Sequence, residues 1–196
     1  MVLDLESYFI KVGKLHSRRF VRDALLCLDE MFGRVVHTFA DWSLVLLTQF
    51  HKKTVDEKII QTVALLLFHS MRHRLNLAGE RAVHHYEEYV HNVSKRSLTE
   101  TKSGTHFPVS RVRRAFQTCL HDLKRGHAHQ NLSISVKGMI YLTAVLEFLF
   151  TELLRVLSPS LDKIRASDLH DVLQKESEES RDLDPLRPSS VLLSSP

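Results

Sequence analysis

Between Val136 and Ser158 the chain reads VKGMIYLTAVLEFLFTELLRVLS. At helical period Thr143, Glu147, Thr151, Arg155 and Ser158 fall on one narrow stripe, and nearly every other position is apolar. A surface helix buries a single face, so a helix apolar almost all round is expected to be wrapped by other elements. Glu147, Glu152 and Arg155 argue against a membrane span, which needs about 20 nearly uncharged residues.

The remaining pattern is also helical. Leu3 to His16 forms a short amphipathic segment with Leu5, Phe9, Val12 and Leu15 on one side, closed by Ser17-Arg18-Arg19. A long pattern follows from Arg22 to Phe50, with Leu25, Leu28, Phe32, Val35, Phe39, Trp42, Val45 and Leu46 apolar. At 1.5 Å per residue it predicts a helix roughly 40 Å long. His51-Lys52-Lys53 closes it. Thr54 is the expected cap of the next helix, with Asp56 and Glu57 as first-turn acids. That short helix runs to about His69, and another spans Leu77 to His91.

The stretch SKRSLTETKSGT from Ser94 to Thr105 is polar and reads as a linker. The order then begins again. Pro108 and Ser110 open a short amphipathic helix over Val109 to Leu123, and Lys124 to Ser135 is a loop. The long central helix follows, then the basic loop Lys163-Ile164-Arg165 and a helix from Ala166. A short helix, basic loop, long helix, basic loop and short helix thus occur twice, which is the signature of an internal repeat. The expectation is an all-α chain with domains at 1–93 and 106–176, a linker at 94–105, and a Ser-, Pro- and acid-rich disordered tail at 177–196.

Composition narrows the class. A hydrophobic fraction of 43% supports a real core, and six glycines and five prolines suit helices. Cys27 and Cys119 lie inside apolar periodic segments, so buried free thiols in a reducing compartment are expected. The opening MVLDLESYF lacks the basic-then-apolar pattern of a signal peptide. Net charge is only +4 but unevenly spread. Thr101 to Ile140 carries seven Lys or Arg against one Asp, whereas Tyr141 to Pro196 carries six against ten acids. Such asymmetry points to a localised polyanion contact. Thirteen histidines raise the question of a metal. His69 and His73 share helical spacing, and His121, His127 and His129 cluster, but no metalloprotease glutamate or paired cysteines accompany them. No metal site and no enzyme are expected, since no phosphate-cradling glycine loop or catalytic constellation stands out.

A short–long–short helical unit cannot bury a long apolar helix alone, but two crossed head to tail can. His106-Phe107-Pro108-Val109-Ser110-Arg111-Val112-Arg113-Arg114 resembles the start of the first helix of histone two-A, and Tyr141 to Leu149 resembles its central helix. In the other half, Tyr8-Phe9-Ile10-Lys11-Val12 resembles the first helix of histone two-B. Ile60-Gln61-Thr62, Leu65-Leu66-Leu67 and Gly79-Glu80-Arg81-Ala82-Val83 resemble its last two helices. The order resembles the fused histone doublets of giant DNA viruses of the marseillevirus type, over roughly Ser7 to Glu179. Departures include Pro159 after the central helix, a longer loop over Lys124 to Ser135, and no recognisable two-A docking segment.

The resemblance implies two tandem histone folds paired as an intramolecular handshake. Antiparallel long helices would bring the first loop of each half beside the second loop of the other. Arg18 and Arg19 would then lie near Lys163 and Arg165, and Lys52 and Lys53 near Lys124, Arg125 and Lys137. Arg111, Arg113 and Arg114 would add a third contact. Such points can follow phosphates without reading bases. The implied partners are double-stranded DNA and a second histone pair or doublet of the three-and-four type. No cofactor, small-molecule substrate or membrane is implied. The implied location is the virion and the viral factory or host nucleus. A reduced acidic patch is implied at Glu147, Glu152, Glu176, Glu178 and Glu179, because Arg155 and Ser70 fall where the family has acids. Two other classes fit the helical pattern. One is a tandem histone-fold scaffold of a transcription complex, which contacts proteins and leaves DNA alone. The other is a secreted four-helix signalling bundle.

Overall fold

The computed structural model describes residues 3–92, 104–124, 132–157 and 163–181. Its elements are α1 (Glu6–Leu15), β1 (Arg19–Phe20), α2 (Arg22–Gln49), β2 (Thr54–Val55), α3 (Glu57–Leu67), a 3-10 turn (His69–Met71), α4 (Arg72–Asn92), α5 (Val109–Lys124), β3 (Ser133–Ile134), α6 (Val136–Val156), β4 (Lys163–Ile164) and α7 (Ala166–Arg181). The all-α expectation holds, with two-residue strands as the exception. No helix among the described residues is long and apolar enough to cross a membrane.

Two compact units share these elements, and the division passes through both long helices. The first takes the chain up to Val35 and from Leu149 onward, and the second runs from Val36 to Phe148.

In the first unit an aromatic cluster forms the centre. The Phe150 ring lies 4.9 Å from Phe9, 5.9 Å from Phe20 and 6.1 Å from Phe32. Helical spacing on α1 and α2 delivers Phe9 and Phe32 to it, together with Val12, Leu25 and Leu28. Gly13 is required here, because a Cβ at that position would run into the Phe20 ring. The chain before α1 is tied down by Asp29, a buried carboxylate on α2. It accepts the backbone N–H groups of Leu3 at 2.8 Å and Leu5 at 3.0 Å, and that pairing is what makes a buried charge tolerable.

In the second unit every residue of α6 from Gly138 to Leu146 is buried. This is the wrapping that its pattern predicts. Thr143, expected on the polar stripe, is also buried, and its hydroxyl donates back to the Met139 carbonyl at 2.7 Å. Tyr141 is the largest fully buried side chain. Its hydroxyl donates to Asn76 Oδ1 at 2.8 Å, an atom that also accepts from Gln61 Nε2 at 2.6 Å, while Asn76 Nδ2 donates to Glu80 at 2.9 Å. Burial, reinforced by Glu80 and Glu57, pushes the Tyr141 phenol well above its ordinary range. Gly79 lets α4 approach, since any Cβ there would overlap that ring.

Several boundaries differ from the sequence pattern. Helix α4 begins at Arg72, five residues before Leu77, and Leu75 in its first turn is fully buried. Leu15, Trp42 and Val45 are exposed although their spacing places them with core residues. The disorder expected from Ser177 does not begin there, because α7 continues to Arg181. Glu, Gln and Lys are good helix formers, so an acidic run can extend a helix already started. Residues 182–196 and, of the linker expected at 94–105, residues 94–103 lie outside the described residues. Both cysteines are free thiols. Burial pushes Cys119 up to about 11 and also raises Cys27, where Glu30 adds to the effect.

The cap of α3 is Asp56 rather than Thr54. Its Oδ1 accepts the Ile59 N–H at 2.9 Å, while Thr54 lies in β2. Asp56→Ala is expected to lower stability by about 1 kcal/mol, whereas Asp56→Asn should be nearly neutral because Asn caps equally well. Urea denaturation followed by circular dichroism measures both, and equal losses would remove the cap assignment.

Candidate nucleic-acid interface

Each unit contains one two-residue parallel bridge, and each bridge joins a loop of the first half of the chain to a loop of the second. In the first unit Arg19 pairs with Lys163 and Phe20 with Ile164. Successive strand residues point to opposite faces, so the inward pair is apolar, with Ile164 fully buried. The outward pair is two exposed cations. Val21 N–H donates to the Ile164 carbonyl at 2.9 Å and extends the bridge. Ser17, with φ of 56°, turns the chain into it. Arg18 supports the bridge from behind, its guanidinium donating to the Leu157 carbonyl at 3.1 Å. Arg165 follows with an exposed side chain, and its N–H donates to Asp168 Oδ2 at 2.8 Å at the start of α7. Like charges directly opposite each other on adjacent strands are destabilising. The pair thus presents two cations on one side, a group that an anion can neutralise.

The second unit repeats the backbone arrangement with different chemistry. Thr54 pairs with Ser133 and Val55 with Ile134. The outward pair is two hydroxyls, Thr54 Oγ1 and Ser133 Oγ, 2.6 Å apart. Ser133 N–H donates to the Lys53 carbonyl at 2.9 Å and Ser135 N–H to Val55 at 3.0 Å. Gly138 fits tightly over the Asp56 backbone, and Ser135 Oγ caps α6 by accepting its N–H at 2.9 Å. Lys53 is exposed. Lys52 pairs with Asp56 at 2.9 Å, and Lys137 pairs with Glu87. Burial works to raise the Asp56 carboxyl, but hydrogen bonds from Lys52 and Ile59 outweigh it and hold the group below its ordinary range. The Lys137 hydrogen bond lowers Glu87, and the same bond raises Lys137. Burial raises the nearby Glu57, against the opposing charge of Lys137.

The third expected cluster lies on α5. Arg111 and Arg113 are half-buried and Arg114 exposed, beside the buried Val112, Ala115 and Phe116. The first turn of α5 contains no acid. Arg111 stands in the first turn, where a cation opposes the helix dipole, and Arg113 and Arg114 follow in the second turn.

The bridges thus bring Arg19 together with Lys163, flanked by Arg18 and Arg165, and set Lys52, Lys53 and Lys137 around a second bridge. Lys124 is the last residue of α5, and Arg125 lies outside the described residues. The residues that the pattern alone does not single out are Thr54, Ser133, Asp56 and Glu87.

The acidic positions are individually engaged. Glu147 is largely covered and accepts the N–H groups of His106 at 2.6 Å and Phe107 at 3.0 Å, with His106 Nδ1 at 2.8 Å. Its charge organises the turn before α5. Glu152 pairs with Arg155 at 3.0 Å. Glu176, Glu178 and Glu179 belong to α7, and their side chains lie outside the described residues. Among the described residues no group of three or more His, Cys, Asp or Glu could hold a metal ion. His69 and His73 are exposed, and His127 and His129 lie outside the described residues.

No protein-family model matches the chain, and no curated protein is significantly similar to it.

Proposed function

We propose that this chain is a fused pair of histone folds, two-B-like then two-A-like, that packages duplex DNA without reading its sequence. The observation that carries the reading is the pairing of loops. A handshake of two short–long–short units requires the first loop of each half to meet the second loop of the other. The two parallel bridges join Arg19 to Lys163 and Thr54 to Ser133 in that order. Cations gather at each bridge and at the start of α5, where each group can neutralise phosphates without reading bases. The resemblance to marseillevirus-type doublets supports the same reading and supplies its setting in the virion. Because both partners are in one chain, pairing proceeds at high effective concentration and does not depend on protein concentration. Wrapping a longer duplex calls for a second pair of the three-and-four type.

A second reading has an observation in its favour. Lys52 and Lys137 already have acidic partners, which suits a tandem histone-fold scaffold that contacts proteins and leaves DNA alone.

Fluorescence anisotropy of the full chain with two unrelated labelled duplexes separates the readings. Binding should be similar for both sequences, and with six or more phosphate contacts should weaken by about 10³ between 50 and 200 mM salt. Absence of binding at the lower salt, or affinity indifferent to salt, overturns the DNA reading in favour of the scaffold. With a three-and-four-type doublet added, nuclease protection should be shorter than the roughly 147 base pairs of a cellular nucleosome.

A further inference from the structure

The two bridges share a backbone plan and differ in charge state, and this difference has a functional consequence. At the β1–β4 bridge the outward residues are Arg19 and Lys163, followed by Arg165. Among the described residues no carboxylate pairs with any of these three side chains. At the β2–β3 bridge the outward residues are hydroxyls, and two of the three surrounding lysines are held by acids of the chain itself. Asp56 holds Lys52 from the other end of β2, and Glu87 on α4 holds Lys137 at the start of α6. All four of these side chains are partly open to solvent, between 36% and 48% exposed. A phosphate can therefore reach the same ammonium groups, but only by displacing a carboxylate.

We infer that Asp56 and Glu87 act as built-in anionic competitors at the β2–β3 bridge, leaving the β1–β4 bridge as the primary seat for the phosphodiester of duplex DNA. This rests on the reading of the chain as a DNA-binding protein. Exchanging a carboxylate for a phosphate on one lysine yields only the difference between two similar ion pairs. A cation without such a partner contributes its full attraction. The carboxylates are also tethered, so each competes at the high local concentration of an intramolecular ligand. Surface ion pairs are individually weak, so the acids attenuate this seat and do not close it. Thr54 and Ser133 hydrogen-bond to each other, which uses one of the two hydroxyl protons at this bridge.

The test compares the full wild-type chain with the double variant Asp56→Asn/Glu87→Gln and with Glu88→Gln, using a labelled duplex in anisotropy titrations from 50 to 200 mM salt. Asn retains the helix cap at position 56, and Glu87 is exposed, so thermal melts should stay close to wild type. Glu88 neighbours Glu87 but pairs with His84 at 3.6 Å, so its neutralisation controls for one of the two units of charge that the double variant gains. Freed lysines add about 0.9 to the salt slope each, so the double variant should be steeper by about 1.8 and tighter by roughly tenfold at low salt. Glu88→Gln should change affinity by less than about twofold. Wild-type binding with an unchanged double variant overturns the inference and leaves the DNA reading intact. An equal gain from Glu88→Gln also overturns it, as a general charge effect. Binding by the double variant alone supports the inference in its strongest form, and binding by neither overturns both.

Discussion

Phe150→Ala is expected to cost about 3–5 kcal/mol of stability, the range for removing a large aromatic side chain from a packed core. The ring is fully buried and stands within 6.1 Å, centroid to centroid, of Phe9, Phe20 and Phe32. Those three come from α1, β1 and α2, so the void left behind cannot close by moving a single side chain. Edge and tilted contacts between such rings contribute about 0.5–1.5 kcal/mol each beyond area burial, which puts the expectation at the upper part of the range. Native domains have only about 5–15 kcal/mol in total, so the variant should unfold at much lower urea concentration or fail to accumulate. Phe150→Leu keeps most of the volume and should lose roughly 1.5 kcal/mol or less. Urea titrations followed by circular dichroism decide the matter, and a loss under about 1 kcal/mol for Phe150→Ala would mean that the aromatic cluster does not hold this unit together.

Phe150 also shows how much of the fold the sequence makes legible. Its place in an almost wholly apolar helix marks it for burial, and α6 is indeed covered on all sides from Gly138 to Leu146. Period 3.6 finds helices because core contacts repeat along one face. It does not say how much face is covered. Trp42 and Val45 follow the same spacing as Phe39 yet are exposed, because spacing fixes direction and a neighbouring element decides cover. Thr143 shows the converse. A hydroxyl can be buried inside an apolar helix when it donates to its own backbone one turn back. The α3 cap was ambiguous for a local reason, since Thr54 and Asp56 both suit the position. The hydroxyl partner that diverts Thr54 is Ser133, 79 residues away.

The candidate interface was legible in its cations and not in their partners. Clustered Lys and Arg between helices are visible in the chain, and their grouping about two bridges is what the histone resemblance implies. Lys52 and Asp56 are four residues apart, but β2 rather than a helix lies between them, so helical spacing does not predict their pairing. Glu87 and Lys137 are 50 residues apart, and only the packed second unit joins them. Glu147 also has partners far along the chain. Its helical position suggests an outward acid, but the folded chain turns its carboxylate onto the His106 and Phe107 backbone.

Removing the exposed cations Arg19, Lys163 and Arg165 together, each to Ala, is expected to weaken duplex DNA binding by about a hundredfold near 150 mM salt. The figure follows from counterion release. Each lost phosphate contact makes the dependence of log affinity on log salt shallower by about 0.9, so three lower it by about 2.7. None of the three is needed for the core. Their side chains are exposed, and the bridge is held by backbone hydrogen bonds and by Ile164. Removing adjacent like charges relieves repulsion, so stability should hold or rise slightly. Arg18 is kept in this variant because its guanidinium supports the Leu157 carbonyl. A triple Ala variant at Lys11, Lys14 and Arg81, three exposed cations outside the bridges, changes net charge equally. It should shift affinity far less, because none of the three stands on the outward face of the bridge and none adds a phosphate contact there. Anisotropy titrations over a salt series give both affinity and slope. Equal losses in the two triple variants would mean that the bridge is not a phosphate seat and that binding follows overall charge. A loss at Arg19, Lys163 and Arg165 without a change in slope would mean that these residues act on something other than phosphate.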